Sequence, residues 1–265
     1  MVYTNCARGE SRPNISPFIP TTMASRKVSP FFAAHSNPHI NHSQCDSLAT
    51  LKYEIEYLQG PISQPETEES WDTIARAVST LTALCNGGAC DFESELVNVI
   101  RSFYRPLNNA MNSERTKLSG ATLDLITALA SGLGPAFEPL LHLFFPTLLT
   151  LCTRTNKVFL TRARACIFTI IESTQSPALI TYFSQSIKDK ATTLRLASTD
   201  GVFACLNCFN PPDLEKEARA REIEAIIRAT ARDANADVRK GSRKIFDAYK
   251  ILLPNRVDRY VHSSP

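Results

Sequence analysis

The chain has 265 residues, and 43% of them are hydrophobic, which is enough to bury a substantial core. Only 9 glycines against 16 prolines, with few β-branched alternations, argue against a β-sandwich, a β-barrel or a Gly-rich nucleotide-binding fold. A formal charge of +3 is mildly basic and far from that of a dedicated nucleic-acid binder. Helix is therefore the expected structure, and the placement of the charges matters more than their sum.

Residues 1–46 are predicted to form a disordered arm, because they are rich in Ser, Pro, Asn and His and show no helical periodicity. No secretory signal is recognisable at the N-terminus. The most apolar stretch, residues 133–152, is interrupted by three prolines and a glutamate, so we expect no membrane span. An intracellular protein with reduced cysteines is expected, and four of these should pack in helices as small hydrophobes, namely Cys85, Cys152, Cys166 and Cys205.

Residues 47–262 are predicted to form one helical domain. Its first helix, residues 48–59, should end at Gly60-Pro61. After the acidic run ETEES, one helical face carries Trp71, Ile74, Val78, Leu81 and Cys85. Similar long helices are predicted to start near residues 114, 157, 193 and 236. A shorter partner is predicted after each of the first four long helices, over residues 92–107, 139–151, 178–188 and 214–232.

The long helices recur at intervals of roughly 35 to 45 residues, the period of HEAT or armadillo hairpins. One hairpin cannot cover its own apolar face, so neighbouring hairpins must stack. The sequence therefore predicts an all-α solenoid of about five HEAT-like hairpins, with the turns of one edge in a line.

The turns beside the long helices carry the candidate binding residues, and four of the five turns are basic. A line of such turns would give a positive stripe that suits an acidic partner surface. The alternative is that Lys and Arg simply solvate the helix ends. Trp71, the only tryptophan, is either a core anchor or a half-exposed interface aromatic, and its position leaves both interpretations open.

Four runs resemble, in order and spacing, the TOG domain of the CLASP family of microtubule regulators: ETEESWDTIARAVSTLTAL, SERTKLSGATLDLITALASGLGPAFEPLL, FPTLLTLCTRTNKVF and DANADVRKGSRKIFDAYKILLPNR. The resemblance covers about residues 51–257. It implies a paddle-shaped domain whose intra-repeat loops contact tubulin. The residues implied to make these contacts are Trp71, Arg115, Thr116, Lys117, Asn156, Lys157, Lys190, Arg195, Arg239 and Lys240.

The same resemblance implies a protein that stabilises microtubules and supports spindle organisation and cell division. It places the protein in the cytoplasm, on the cytoskeleton and at the spindle, with tubulin and other microtubule-associated proteins as partners and no membrane. Members of the family are much longer than this chain.

No enzymatic site, cofactor or metal is predicted. The chain has no phosphate-binding glycine motif and no convergent nucleophile and base. The pair Cys205 and Cys208 lacks a second pair at zinc spacing. His35, His39, His42 and Cys45 form a loose cluster, but a disordered arm does not pre-position metal ligands.

Two other functions remain alternatives. A general HEAT adaptor, of a transport or scaffold type, would bind peptide motifs on its concave face and would need no tryptophan in a turn. A nucleic-acid-binding repeat protein would require aromatic and Arg residues recurring on the inner helices, and the sequence has no such pattern.

Overall fold

The computed structural model describes residues 44–257. The regular structure of this part of the chain consists of twelve α-helices, two short 3₁₀ turns, Ala89–Asp91 and Gly134–Phe137, and a helical segment at residues 254–257. The helices are α1 (Leu48–Ser63), α2 (Trp71–Asn86), α3 (Glu93–Ser102), α4 (Tyr104–Asn112), α5 (Thr116–Leu133), α6 (Glu138–Leu151), α7 (Lys157–Thr174), α8 (Leu179–Ser186), α9 (Thr192–Cys208), α10 (Pro211–Glu215), α11 (Glu217–Ala231) and α12 (Ala236–Leu252).

These helices form five hairpins stacked in chain order, which confirms the predicted all-α solenoid. The hairpins are α1 with α2, α3 and α4 with α5, α6 with α7, α8 with α9, and α10 and α11 with α12. Their second helices, α2, α5, α7, α9 and α12, pack side by side in that order. One hydrophobic cluster runs through all five hairpins, as expected when each repeat buries its apolar face on the next.

The pairing within the hairpins differs from the prediction. Each long helix was predicted to pair with the shorter helix after it, but in the structure it packs on the shorter helix before it. Thus α1 covers α2, and the last long helix, α12, packs on the preceding α11. An apolar stripe predicts which side of a helix is buried, but it does not say which neighbour buries it.

Three helix boundaries also differ from the prediction. Helix α1 continues through Gly60 and Pro61 to Ser63, because the buried Ile62 anchors its last turn; this burial offsets a proline cost of roughly 3 kcal/mol. The predicted helix 92–107 is two helices that meet at Phe103, where the missing N–H of Pro106 interrupts the bonding pattern. The predicted helix 214–232 is likewise divided, at Lys216.

Small residues bring the second helices close to their neighbours. A Cβ atom built on Gly201 in α9 would lie 2.4 Å from the ring of Phe183 in α8. One built on Gly241 in α12 would lie 2.5 Å from the methyl group of Thr199 in α9. Both distances are shorter than the non-bonded contacts that Cβ atoms make in proteins, so a larger residue at either position would force the helices or side chains to shift.

The folded part begins slightly before the predicted boundary at residue 47. Cys45 is 4% exposed, and its N–H donates to the carbonyl of Gly87 at 2.8 Å, so this residue belongs to the core rather than to the predicted arm. Residues 1–43, with the three histidines of the loose cluster, lie outside the described residues. None of the helices over residues 44–257 is both long enough and apolar enough to cross a membrane.

Candidate functional site

Five turns line one edge of the solenoid, each between the first and second helices of a hairpin. They are turn 1 (residues 64–70), turn 2 (113–115), turn 3 (152–156), turn 4 (187–191) and turn 5 (232–235). They share an edge because each directly precedes one of the second helices, which pack side by side. We call these turns, each taken together with the first five residues of the helix that follows it, the rim, and each turn number includes those helix residues from here on. All ten predicted site residues lie in the rim.

Turns 1 and 2 are joined by ion pairs. The Arg115 guanidinium lies 2.6 Å from a Glu68 oxygen and 3.5 Å from Glu66. The Lys117 ammonium lies 2.6 Å from Asp72, which also pairs with Arg76 in the same helix. Contact with Lys117 holds the pKa of the Asp72 carboxyl below its usual range. Two predicted binding cations are thus neutralised by acids of the neighbouring repeat.

Trp71 is the first residue of α2 and is half-buried, packed against the hydrophobic core. The guanidinium of Arg115 lies 5.3 Å from its ring centre, and the ammonium of Lys117 lies 5.6 Å away. Both are within the range of a cation–π interaction. The ring is therefore partly a core anchor and partly a rim residue, and the cations of turn 2 lie over it. Thr116, at the start of α5, is exposed beside them.

Arg154 joins turn 3 to turn 2. Its guanidinium donates to the carbonyl oxygen of Asn112 at 2.5 Å, and it lies 3.3 Å from the Glu114 carboxylate. Asn156 caps α7 by accepting a hydrogen bond from the N–H of Val158 at 2.9 Å, as expected for an asparagine at this position. Lys157 follows it and is exposed.

Arg195 joins turn 4 to turn 5. Its Nε and one terminal nitrogen donate to the two Asp233 oxygens at 2.7 and 3.0 Å, and its other nitrogen donates to the carbonyls of Asp189 and Lys190. The two side chains are 14% and 8% exposed. The bidentate bond from Arg195 holds the pKa of the Asp233 carboxyl below its usual range. Most donors of Arg195 are therefore used inside the protein.

The remaining predicted residues are exposed. Arg239 donates to the carbonyls of Asp233 and Ala234 at 2.7 and 2.8 Å, but its charge is not paired with a carboxylate. Among residues 44–257, no carboxylate oxygen lies within 4.0 Å of the ammonium groups of Lys157, Lys190 or Lys240. The uncompensated positive charge of the rim therefore lies in turns 3 to 5, not in turn 2.

Four acids and one arginine that organise the rim are absent from the residues predicted for the site: Glu66, Glu68, Asp72, Arg154 and Asp233. A signal was present, since the run ETEES and the basic turn 2 lie about one repeat period apart. An opposite charge one period away should lie in the adjacent turn of a solenoid. Within residues 44–257 no group of three His, Cys, Asp or Glu side chains could hold a metal ion.

The family model described as "CLASP N terminal" matches residues 51–264. Among similar proteins, Protein stu-1 of Neurospora crassa is 24% identical over 249 residues, which are 92% of this chain and 22% of that protein. Protein peg1 of Schizosaccharomyces pombe is 27% identical over 187 residues, which are 68% of this chain and 13% of that protein. The chain thus spans a small part of the length of these relatives.

Two solved structures have a similar fold. The MAST/Orbit N-terminal domain superposes with a TM-score of 0.54 at 13% identity, over 78% of this chain and 87% of that one. A structure of crescerin, which uses a TOG domain array to regulate microtubules in the primary cilium, gives a TM-score of 0.58 at 14% identity, over 80% and 83% of the two chains. At such identities the likeness extends to the fold alone.

Proposed function

Because this chain belongs to the CLASP N-terminal family, we propose that it is a tubulin-binding TOG domain that associates with microtubules through its rim. The observation that carries the proposal is the common edge of the five turns, where exposed cations without carboxylate partners follow one another along three successive repeats. Such a row suits a large acidic protein surface better than a small ligand, since it has no enclosing walls.

The rim residues divide into two groups by what their side chains contact. Lys157, Lys190 and Lys240 are free to pair with partner carboxylates, and Thr116 and Arg239 are exposed beside them. The other predicted residues already have partners within the chain. We propose that they position the turns. Trp71 would contact a partner only through the part of its ring that Arg115 and Lys117 do not cover. The residues of this second group are Trp71, Arg115, Lys117, Asn156 and Arg195.

The proposed mechanism is differential affinity. A stack of rigid hairpins fixes the spacing of its five turns, so the rim fits one curvature of tubulin better than another. A ligand shifts a conformational equilibrium only by the difference between its affinities for the two states. Preference for the tubulin geometry found in the lattice would stabilise microtubules, and in a dividing cell the same preference would support the spindle. Localisation to the cytoskeleton and spindle follows from that binding.

The test is co-sedimentation of the full chain with microtubules at two salt concentrations, alongside gel filtration with free tubulin. The rim variant is Lys157→Glu, Lys190→Glu, Lys240→Glu. Its matched control is Lys52→Glu, Arg101→Glu, Arg221→Glu, which changes the net charge equally on the first helices of three hairpins. The expected result is a loss of affinity of roughly tenfold or more for the rim variant alone, because like charges across an interface repel.

Three outcomes would count against the proposal. Equal pelleting of wild type and the rim variant would remove the rim from the interface. Equal losses in both variants would indicate a non-specific charge effect. A pull-down that contains peptide-motif proteins and no tubulin would favour the general HEAT adaptor instead.

A further inference from the structure

The second half of the last hairpin, residues 228–250, is strongly basic. Residues 228–250 contain seven Lys or Arg residues and three Asp residues, a net charge of +4 in a chain whose total is +3. The remaining residues are together close to neutral. In the fold this segment covers the end of α11, turn 5 and α12. The C-terminal end of the solenoid is therefore its basic end.

Helix periodicity gathers four of these cations on one side of α12. Val238, Gly241, Ser242, Ile245 and Tyr249 are buried on the opposite side. One turn separates Arg239 from Arg243, and one turn separates Lys240 from Lys244, so each pair forms a column on the helix surface. All four side chains are exposed. We call Arg239, Lys240, Arg243 and Lys244 the α12 basic surface.

None of the four side chains of this surface forms an ion pair with a carboxylate of the described residues. Arg239 bonds only to backbone carbonyls, and the Lys244 ammonium lies 5.9 Å from the ring centre of Phe203 in α9. Over residues 44–257, no carboxylate oxygen lies within 4.0 Å of Lys240 or Arg243.

Three acids of the segment lie near this surface and offset its charge only in part. Asp233 forms its ion pair with Arg195, although the charge of Arg239 also lowers the pKa of Asp233. Asp247 pairs with Lys250 and lies one turn beyond Arg243, and Asp237 lies in the first turn of α12. Turn 2 provides the contrast, because Arg115 and Lys117 there are matched by acids of turn 1. Like charges one turn apart repel, so a negatively charged partner that binds these four cations would relieve their repulsion.

We propose that the α12 basic surface binds an acidic polypeptide segment, rich in Asp and Glu. Two columns of flexible cations suit carboxylates spaced along an extended chain. Nucleic acid fits less well, because binding of single strands relies on exposed aromatic rings for base stacking. The ring of Phe203 is half-buried with Lys244 beside it, and Phe246 is also half-buried. This binding needs no contact between the rim and tubulin, so it goes beyond the proposed function.

The test measures the fluorescence anisotropy of a labelled poly-L-glutamate 20-mer titrated with the full chain. The variant is Arg243→Gln, Lys244→Gln, which lies outside the predicted rim residues. Its matched control is Lys52→Gln, Arg101→Gln, with the same change of net charge. Exposed ion pairs are each worth little, so we expect the variant to weaken binding by roughly 3- to 30-fold and the control to leave it unchanged. Thermal unfolding of both variants checks that they remain folded.

Three results would overturn the proposal. Wild-type protein that does not bind poly-L-glutamate would exclude the surface as an acidic docking site. Equal affinities of the variant and wild type would place the binding elsewhere. A single-stranded oligonucleotide of equal charge that binds more tightly, and is lost in the same variant, would assign the surface to nucleic acid. Since no tubulin is present, failure here is distinct from failure of the rim variant in co-sedimentation.

Discussion

The bond between Arg195 and Asp233 provides the sharpest stability prediction. The Arg195→Ala substitution removes both bonds to the Asp233 carboxylate and those to the carbonyls of turn 4. Asp233, 8% exposed, would keep the hydrogen bond from the Asn235 N–H at 2.8 Å. Breaking a fully buried pair costs about 3 to 5 kcal/mol, whereas an exposed pair contributes at most about 1. This pair lies just beneath the surface, so we expect a loss of about 2 to 3 kcal/mol.

The matched control is Arg164→Ala. Arg164 bonds to Asp200 at 2.5 Å between α7 and α9, but through one nitrogen, and both side chains are about a third exposed. Its removal should cost no more than about 1 kcal/mol. Both free energies of unfolding are measured by urea titration followed by circular dichroism at 222 nm. A double-mutant cycle with Asp233→Ala isolates the pair.

The pH dependence gives a second readout of the same bond. Arg195 lowers the pKa of Asp233 in the folded protein, so the pair stabilises the fold above the unfolded carboxyl pKa of about 3.9. This stabilisation is lost as the pH falls through the lower folded value. The difference between wild type and Arg195→Ala should therefore be constant from pH 7 to about pH 5 and shrink below about pH 4. A difference under about 0.5 kcal/mol at pH 7, or no coupling in the cycle, would refute the reasoning.

Three further predictions concern single positions. Arg115→Ala should shift the emission of Trp71, the only tryptophan, to longer wavelength; unchanged emission would contradict the stacking. Gly201→Ala should cost about 1 to 3 kcal/mol by thermal unfolding, whereas Gly60→Ala, with open space around it, should be neutral or stabilising. Burial raises the pKa of Cys166 to about 12, so native protein at pH 8 should not be alkylated there, as peptide mass spectrometry can check.

The sequence predicted the solenoid because its long helices repeat the same apolar stripe. The buried positions Ile74, Val78 and Leu81 have apolar counterparts in every later hairpin. An apolar stripe at this spacing predicts a helix without knowledge of the element that packs against it. Local signals were less successful at the ends of helices. Gly60-Pro61 predicts the end of a helix, but α1 continues to Ser63 because Ile62, the next residue, is buried.

The site was only half predictable. The position of Lys157 after an N-cap asparagine follows from local sequence, so its place on the rim could be derived. The pairing of Arg115 with Glu68, or of Arg195 with Asp233, joins residues about one repeat apart, and no local rule selects these partners. Whether a rim cation is available to a partner depends on such pairing. The cations of turn 2 were therefore predicted to be available, but in the structure they are paired with acids.

Among the described residues, ion pairs join turn 1 to turn 2, turn 2 to turn 3 and turn 4 to turn 5, whereas turns 3 and 4 share none. When each repeat contacts only its neighbours, the stability of the stack is approximately the sum of the stabilities of the single repeats and of the interfaces between adjacent repeats. A hairpin that opens releases the turn beside it and leaves distant turns intact. A local disturbance of the rim should therefore weaken with distance along the stack, because it passes only through contacts between neighbouring repeats.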